Sequence, residues 1–276
     1  MPELPEVETI KNELLPYIIG RHISDVTLFW ERMVRQPSAD EFCARLKGQQ
    51  VTGAGRRGKY FLINLASGDT LIIHLKMTGS LLLGDGSAEP PQYTRAVIHL
   101  DNNSAVFFRD PRKFGAMWLV DEQGPVVGKL GPEPLDSGFT PGVLAGRLSK
   151  RHAPIKALLC DQGVLAGIGN MYADEALFTA GIHPLRSGDS LSAEELERLH
   201  RAIRQVLLAG IGDKGASVQN YFRPGGEPGT AHLAFRVAHR RGEPCPVCGT
   251  PVTRLPIRNR GSYFCPSCQP RPEAAG

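Results

Sequence analysis

The residues best suited to chemistry stand near the two ends of the chain. At the start, MPELPEVETI puts a proline directly behind Met1 and gathers Glu3, Glu6 and Glu8 around it. A small second residue permits removal of the initiator methionine, which would leave Pro2 with a free secondary amine. An α-amine titrates near about 7.7–8.0, against about 10.4 for lysine, so far more of it is neutral at pH 7. A neutral secondary amine attacks an aldehyde-like sugar carbon and gives a cationic iminium, which is an electron sink. Glu3 is placed to pass protons between amine, opened sugar and leaving groups. Glu6, one helical turn on, is placed to hold amide N–H groups or orient the pocket. The same carboxylates also suit a plain helix start, where negative charge is favourable. The opening alone leaves both readings standing.

Near the other end, Cys245 and Cys248 form one C-x2-C pair, and Cys265 and Cys268 another, with sixteen residues between the pairs. Four thiolates at this spacing suit one tetrahedral zinc ion. A redox pair of CxxC motifs or an iron cluster is the competing use. With all four positions filled by protein, the zinc is structural and leaves no place for substrate. Cys43 and Cys160 lie in apolar surroundings and read as buried thiols. Between the knuckles, TRLPI and SYF read as the arms of a hairpin with Arg258, Asn259 and Arg260 at its turn. Arginine there can grip phosphates or base edges bidentately.

Charge distribution points the same way. The net charge is only +4, but residues 236–271 carry seven arginines against Glu243 alone. A polyanion such as nucleic acid fits that end, with a merely solvated basic face as the rival. Elsewhere, RRGKYF brings Lys59 to the start of an apolar strand. HLKMTG ends another, and simple alternation puts His74 and Lys76 on one face with Leu75 and Met77 on the other. FFRDPRKFG presents Arg112 and Phe114 beside a proline turn. Basic groups interleaved with a ring or thioether can hold a nucleic-acid backbone and wedge between bases; taken singly, Met77 and Phe114 are as well explained as core.

These residues need elements to carry them. Pro5 suits a first helical turn, and Val7, Ile10 and Leu14 give that helix a buried stripe, with Pro16 and Gly20 ending it. Segments 26–29, 59–65, 70–77, 95–100, 105–110 and 116–120 read as strands joined by SGDT, DNNS and other turns. They predict a sandwich or a barrel with the first helix tucked against it. Residues 121–138, rich in Gly and Pro, read as a linker. Beyond it the pattern is helical, ending in a long helix from Leu191 to Ala209, with Ser192 and Glu195 as a capping pair and Leu196, Leu199, Ile203 and Leu207 as its stripe. DQGVLAGIGN sets a glycine-rich turn between helical pieces, where backbone N–H groups, Asn170 and the nearby Lys156 can meet a phosphate. The domains expected are a strand-rich domain at 1–120, the linker at 121–138, a helical domain at 139–235 and a small metal-clipped tail at 236–276. Apolar residues make up 41% of the chain, which marks a folded protein. No apolar run approaches membrane-spanning length.

PELPEVET, HLKMTG, RDPRKFG, DQGVLAGIGNMYADEALF and the paired C-x2-C motifs, taken in order, resemble bacterial formamidopyrimidine-DNA glycosylases over essentially the whole chain. The resemblance implies an α+β multidomain fold: an N-terminal two-layered β-sandwich with flanking helices, a helix–two-turn–helix domain and a C-terminal β-hairpin zinc finger. It implies excision of 8-oxoguanine and formamidopyrimidines from damaged double-stranded DNA, and strand cleavage at abasic sites by β and δ elimination. Pro2 would attack C1′, Glu3 would move protons, Glu6 would support the site and Lys59 would touch DNA beside the lesion. Met77, Arg112 and Phe114 would fill the void left by a flipped nucleotide, with Arg112 facing the orphaned cytosine. Lys156, Asn170 and Arg260 would bind phosphates, and His74 is expected among the DNA-contacting residues. The segment 212–229 resembles a lesion-capping loop. A monomer in the bacterial cytoplasm, bound to the nucleoid, is expected. The stretch V-A-H-R, with Ala238 and His239, departs from the family's V-Y-G-R and removes a phenol. The alternatives are an endonuclease VIII-like glycosylase for oxidised pyrimidines and a catalytically silent damage-binding protein.

Overall fold

The computed structural model describes residues 1–218 and 220–271, which divide into two compact units: 1–129 with 211–231, and 130–210 with 232 onward. In the first unit, helix α1 (Leu4–Ile18) packs on a pair of antiparallel strands, β3 (Val51–Arg57) and β4 (Tyr60–Leu65). Pro16 does not end this helix, as the sequence suggested. It removes one intrahelical hydrogen bond, but buried Ile18 anchors the last turn, and the Ile19 N–H still reaches the Leu15 carbonyl at 3.0 Å.

Two sheets form the body of this unit. One runs β1 (Ile23–Leu28), β7 (Thr94–Leu100), β8 (Ser104–Arg109), β6 (Ser80–Asp85); the other runs β2 (Val34–Gln36), β9 (Ala116–Val120), β5 (Thr70–His74), β4, β3. Side chains alternate across each strand. Val106 and Phe108 of β8 therefore meet Phe61 and Ile63 of β4 and Ile73 of β5 in one core, sealed by Val7, Ile10 and Leu14 of α1. Ala105 and Phe107 face the opposite way, into a satellite cluster with Val97. This is a two-layered sandwich. Strands β2, β3 and β6 and helix α2 (Ala39–Leu46) were not anticipated from the sequence, because VTGAGRR and SLLLGD carry glycine within the strand and blur the period of two.

Strand β5 stops at His74, four residues before Thr78, because Lys76 adopts a positive φ of 54° and turns the chain. The alternation expected through Met77 therefore fails: Leu75 is buried and Met77 is 47% exposed. The expected linker contains a short helix, α3 (Gly124–Val127), and residues 211–231 group with the sandwich.

In the second unit, α4 (Pro141–Leu148), α5 (Ile155–Leu159), α6 (Asn170–Ala180) and α7 (Ala193–Gly212) follow the predicted helical segments. The Ser192 hydroxyl accepts the Glu195 N–H at 3.3 Å, and the Glu195 carboxylate accepts the Ser192 N–H at 2.9 Å, which completes the capping box. Leu199, Ile203 and Leu207 are buried as the stripe requires, and Leu196 is half-buried. A hairpin, β10 (Thr253–Ile257) and β11 (Arg260–Phe264), turns through Arg258 and Asn259. Both have positive φ, 43° and 62°, as a two-residue hairpin turn requires. Arg260 therefore opens the returning strand rather than lying in the turn.

Candidate active site and nucleic-acid interface

Pro2 and Glu3 lie at the mouth of α1, and both are buried. Glu3 is the N-cap: its carboxylate takes the Glu6 N–H, while the Glu6 carboxylate takes the Glu3 N–H at 2.6 Å. The helix-start reading and the catalytic reading thus coexist, because a carboxylate that accepts one amide proton keeps other lone pairs. Glu6 is fully buried, and its second oxygen accepts the Ala216 N–H at 2.8 Å. One carboxylate thereby joins the helix start to residues 211–231. Gly215 beside it needs to be glycine: φ is +79°, and a Cβ there would stand 2.9 Å from Glu6 Cγ.

Lys59 occupies the tight β3–β4 turn and is buried. His74, paired with Tyr60 across β4 and β5, packs edge-on against the Tyr60 ring at 4.5 Å between centroids. Its Nδ1 accepts the Lys76 N–H at 2.9 Å, which leaves Nε2 to carry the proton as a donor. Burial, with the Lys76 and Lys59 charges adding to it, pushes the His74 pKa down to about 3. The ring is a neutral donor throughout the physiological range.

Met77, Arg112 and Phe114 come together. The Arg112 guanidinium lies 4.6 Å from the Phe114 ring centroid and points one N–H at Met77 Sδ, 3.6 Å away. Met77 and Phe114 are 47% and 44% exposed, so this is a projecting apolar and cationic cluster rather than core. Sequence reasoning missed its support, Asp110. That buried carboxylate accepts the Thr78 hydroxyl and the backbone N–H groups of Arg112 (3.2 Å), Phe114 (2.7 Å) and Gly115 (2.7 Å). The signal available was an aspartate directly before a proline turn.

In the second unit, the glycine-rich turn is organised by Gln162. Its side chain accepts the Gly167 N–H at 2.9 Å and donates to the carbonyls of Ile168 (2.7 Å) and Cys160 (3.2 Å). Gly169 takes the N-cap of α6, so Asn170 is the first helical residue. The Asn170 amide donates instead to the Gly261 carbonyl at 2.9 Å, tying α6 to the hairpin next to Arg260. Lys156 is buried, with its ammonium held by the Asp174 carboxylate and the Asn170 carbonyl. Asp174, also missed from sequence, feels burial most: desolvation raises its pKa to about 7 although Lys156 pulls the other way. A cavity of about 240 Å³ opens beside these groups, lined by Lys156, Asp161, Ile257, Arg258 and Arg260 among others. Arg260 is exposed at its rim.

The four cysteine sulfurs all lie within 4.8 Å of one another. Cys245 and Cys268 are 3.8 Å apart and Cys248 and Cys265 3.4 Å. A zinc tetrahedron with bonds of about 2.3 Å has edges of about 3.8 Å, so the set fits one ion. The Val247 and Cys268 N–H groups point at Cys245 and Cys265 sulfur, at 3.5 and 3.4 Å, and would soften the thiolate charge. Gln269 locks the knuckle to the helices: it accepts the Cys265 N–H at 3.0 Å and donates to the Ile182 carbonyl at 2.8 Å. Before the first knuckle, the Glu175 carboxylate gathers the N–H groups of Arg236, Val237 and Ala238 at 2.8–3.0 Å. Ala238, the point where V-A-H-R departs from V-Y-G-R, is buried, and His239 packs on Tyr263 at 5.4 Å.

Family models match the chain in three consecutive pieces. They are the formamidopyrimidine-DNA glycosylase N-terminal domain over residues 1–117, the formamidopyrimidine-DNA glycosylase H2TH domain over 130–221, and the zinc finger found in FPG and IleRS over 242–271. The formamidopyrimidine-DNA glycosylase of Chloroflexus aurantiacus is 46% identical over 272 residues, covering 98% of each chain. That of Geobacillus kaustophilus is 43% identical, covering 98% of this chain and all of its own. Among solved structures, the MutM (Fpg) protein of Thermus thermophilus superposes with a TM-score of 0.88 at 39% identity, covering 97% of this chain and 98% of its own. Lactococcus lactis Fpg in complex with abasic-site DNA gives 0.91 at 31%, covering 98% and 100%. By class, this architecture and these matches define a DNA-repair enzyme with a structural zinc finger. The chain belongs to the formamidopyrimidine-DNA glycosylase family.

Proposed function

We propose that this protein excises oxidised purines, 8-oxoguanine and formamidopyrimidines, from duplex DNA and then cleaves the strand at the abasic site. The observation that carries the reading is the start of α1, where Pro2 adjoins two buried carboxylates, one of them tied to Ala216. The purine-lesion relatives reported above support it over the pyrimidine-specific alternative. The intact Pro2–Glu3 pair argues against a silent damage-binding protein.

While Met1 is attached, the Pro2 nitrogen is an amide and no nucleophile. Once Met1 is removed, its lone pair forms a bond to C1′ as the bond from C1′ to the base breaks, and the base leaves with the electron pair and takes a proton. Loss of the amine proton and protonation of O4′, through Glu3, open the sugar and leave an iminium between Pro2 and C1′. Removal of a C2′ proton expels the 3′ phosphate, and a second elimination expels the 5′ phosphate. Hydrolysis of the iminium returns the amine.

Flipping the damaged nucleotide costs a few kcal/mol. Met77, Arg112 and Phe114 fill the vacated stack and offset part of it. Lys59 touches DNA beside the lesion and His74 contacts the DNA, while Lys156, Asn170 and Arg260 serve the phosphates; for Lys156, already paired with Asp174, that service passes through Asn170 and the hairpin. The zinc holds the hairpin and takes no part in the bond changes. No described helix is long and apolar enough to cross a membrane, and a monomer acting in the compartment of the chromosome suits the reading.

Borohydride reduction of the enzyme on abasic-site DNA tests the chemistry. A covalent adduct at Pro2 is expected, with mass spectrometry confirming that Met1 is absent. An active preparation that yields no adduct, or one linked through Lys59, overturns the mechanism.

A further inference from the structure

The thioether of Met77 stands where methionine chemistry can reach it. The chain has five methionines, of which Met1 is removed in the active form proposed above. Met33, Met117 and Met171 are buried, whereas Met77 is 47% exposed. The backbone on either side keeps it out of the core. Lys76 before it is set at a positive φ of 54°, and the Thr78 hydroxyl after it is held by buried Asp110. Among the described residues, Met77 is thus the one methionine of the trimmed chain that offers its sulfur to solvent.

An exposed thioether is a two-electron reductant. Its sulfur lone pair forms a bond to one oxygen of hydrogen peroxide as the O–O bond breaks. The departing hydroxide keeps that electron pair, takes the proton left on the transferred oxygen and becomes water. Sulfur is oxidised to the sulfoxide and the peroxide is reduced. The neighbour of Met77 gives this change a consequence. One Arg112 N–H points at the sulfur, 3.6 Å away, while the guanidinium lies 4.6 Å from the Phe114 ring centroid. Thioether sulfur is a weak acceptor, so Arg112 is held loosely and can stay stacked on Phe114. A sulfoxide oxygen at the same place is a strong acceptor beside a fixed cation, and it draws Arg112 to itself.

We propose that Met77 is a reversible oxidation site that disables the Met77–Arg112–Phe114 cluster. Oxidation turns a flexible apolar side chain into a polar one, which must shed water to enter a base stack. It also ties up the guanidinium. Reduction by methionine sulfoxide reductases, which act on both sulfoxide epimers between them, restores the thioether. The effect on repair rests on the function proposed above; the reactivity of the site does not.

The test treats the zinc-loaded enzyme with graded hydrogen peroxide and maps added oxygen on each methionine by peptide mass spectrometry. Met77 is expected to oxidise about tenfold or more faster than Met33, Met117 and Met171, because susceptibility follows exposure. Single-turnover excision of 8-oxoguanine opposite cytosine should fall by about tenfold or more in step with that oxidation. Treatment with the two reductases should return both the mass and the rate. Met77→Leu, judged against its own untreated rate, should resist peroxide. Zinc release, followed with a chromogenic chelator, separates any loss caused by the cysteine set. Oxidation of Met77 no faster than of the buried three, full excision by the oxidised protein, equal losses in Met77→Leu, or a rate that the reductases do not restore would each overturn the proposal. Absence of excision by the untreated enzyme would instead defeat the proposed function, and the mass mapping, which needs no DNA, would still decide the site.

Discussion

The Asp110 carboxylate accepts the Thr78 hydroxyl, and so joins the turn that follows Met77 to the turn that presents Arg112 and Phe114. Two segments more than thirty residues apart thus share one buried anchor. Neither turn is rigid by composition, since Lys76 and Lys113 both sit at positive φ without being glycine. The anchor supplies what local propensity does not. Asp110→Asn keeps the volume but puts an NH2 group where donors already point, leaving at least one of them unpaired. A buried hydrogen bond to a charged group is worth about 1.5–3 kcal/mol. Urea unfolding should show a loss of that size. Single-turnover excision should fall by about tenfold or more, because Met77, Arg112 and Phe114 no longer hold one arrangement. Unchanged excision would show that the wedge assembles without Asp110.

Acid sensitivity should be traceable to His74. An unfolded histidine takes up its proton near 6.5, whereas folded His74, desolvated and flanked by Lys76 and Lys59, does so only at about 3. Stability from the neutral ring is therefore complete above pH 6.5 and drains away as pH falls from there toward 3. The loss approaches about 1.4 kcal/mol per pH unit within that window. His74→Gln should flatten the stability curve between pH 6.5 and 5 relative to the wild type, measured by denaturant unfolding. The shape of the excision profile above pH 6 should not change, since the ring does not titrate there. A wild-type curve no steeper than that of the variant would place the titrating group elsewhere.

Much of this was legible in the chain, for physical reasons. The Ser192–Glu195 cap, the stripe of α1 and the spacing of the four cysteines are local patterns, and local patterns survive folding. The exposure of Phe114 fits its place beside a proline turn, whereas the strand alternation offered for Met77 failed at Lys76. What stayed hidden depends on contacts between distant residues. Asp110 with Thr78, Lys156 with Asp174 and Glu13 with Arg223 are separated by 32, 18 and 210 positions. Each acid looks like an ordinary surface charge until the fold supplies its partner. Lys156 is the sharpest case: read as a cation for a phosphate, it is buried against a carboxylate.

The hairpin separates contact from architecture. Arg260 is exposed at the start of β11, beside Gly261, whose carbonyl is held by Asn170. Arg260→Ala removes one charge but leaves the register of β10 and β11 and the four cysteines intact. Each phosphate contact contributes about 0.9 to the slope of log affinity against log salt. The variant should therefore bind lesion duplex more weakly and show a slope shallower by about one, in anisotropy titrations from low to moderate salt. Stripping the zinc acts differently. Metal binding of this type supplies about 10–16 kcal/mol of folding free energy, and a five-residue-stranded hairpin cannot replace it. Chelation should thus abolish much more of the salt-dependent binding than one arginine accounts for, and added zinc should restore it. The sandwich carries its own core, so its unfolding transition should persist without metal. A chelated protein that kept the wild-type slope would mean that the hairpin makes no phosphate contacts, and the decline seen with Arg260→Ala would then need another cause.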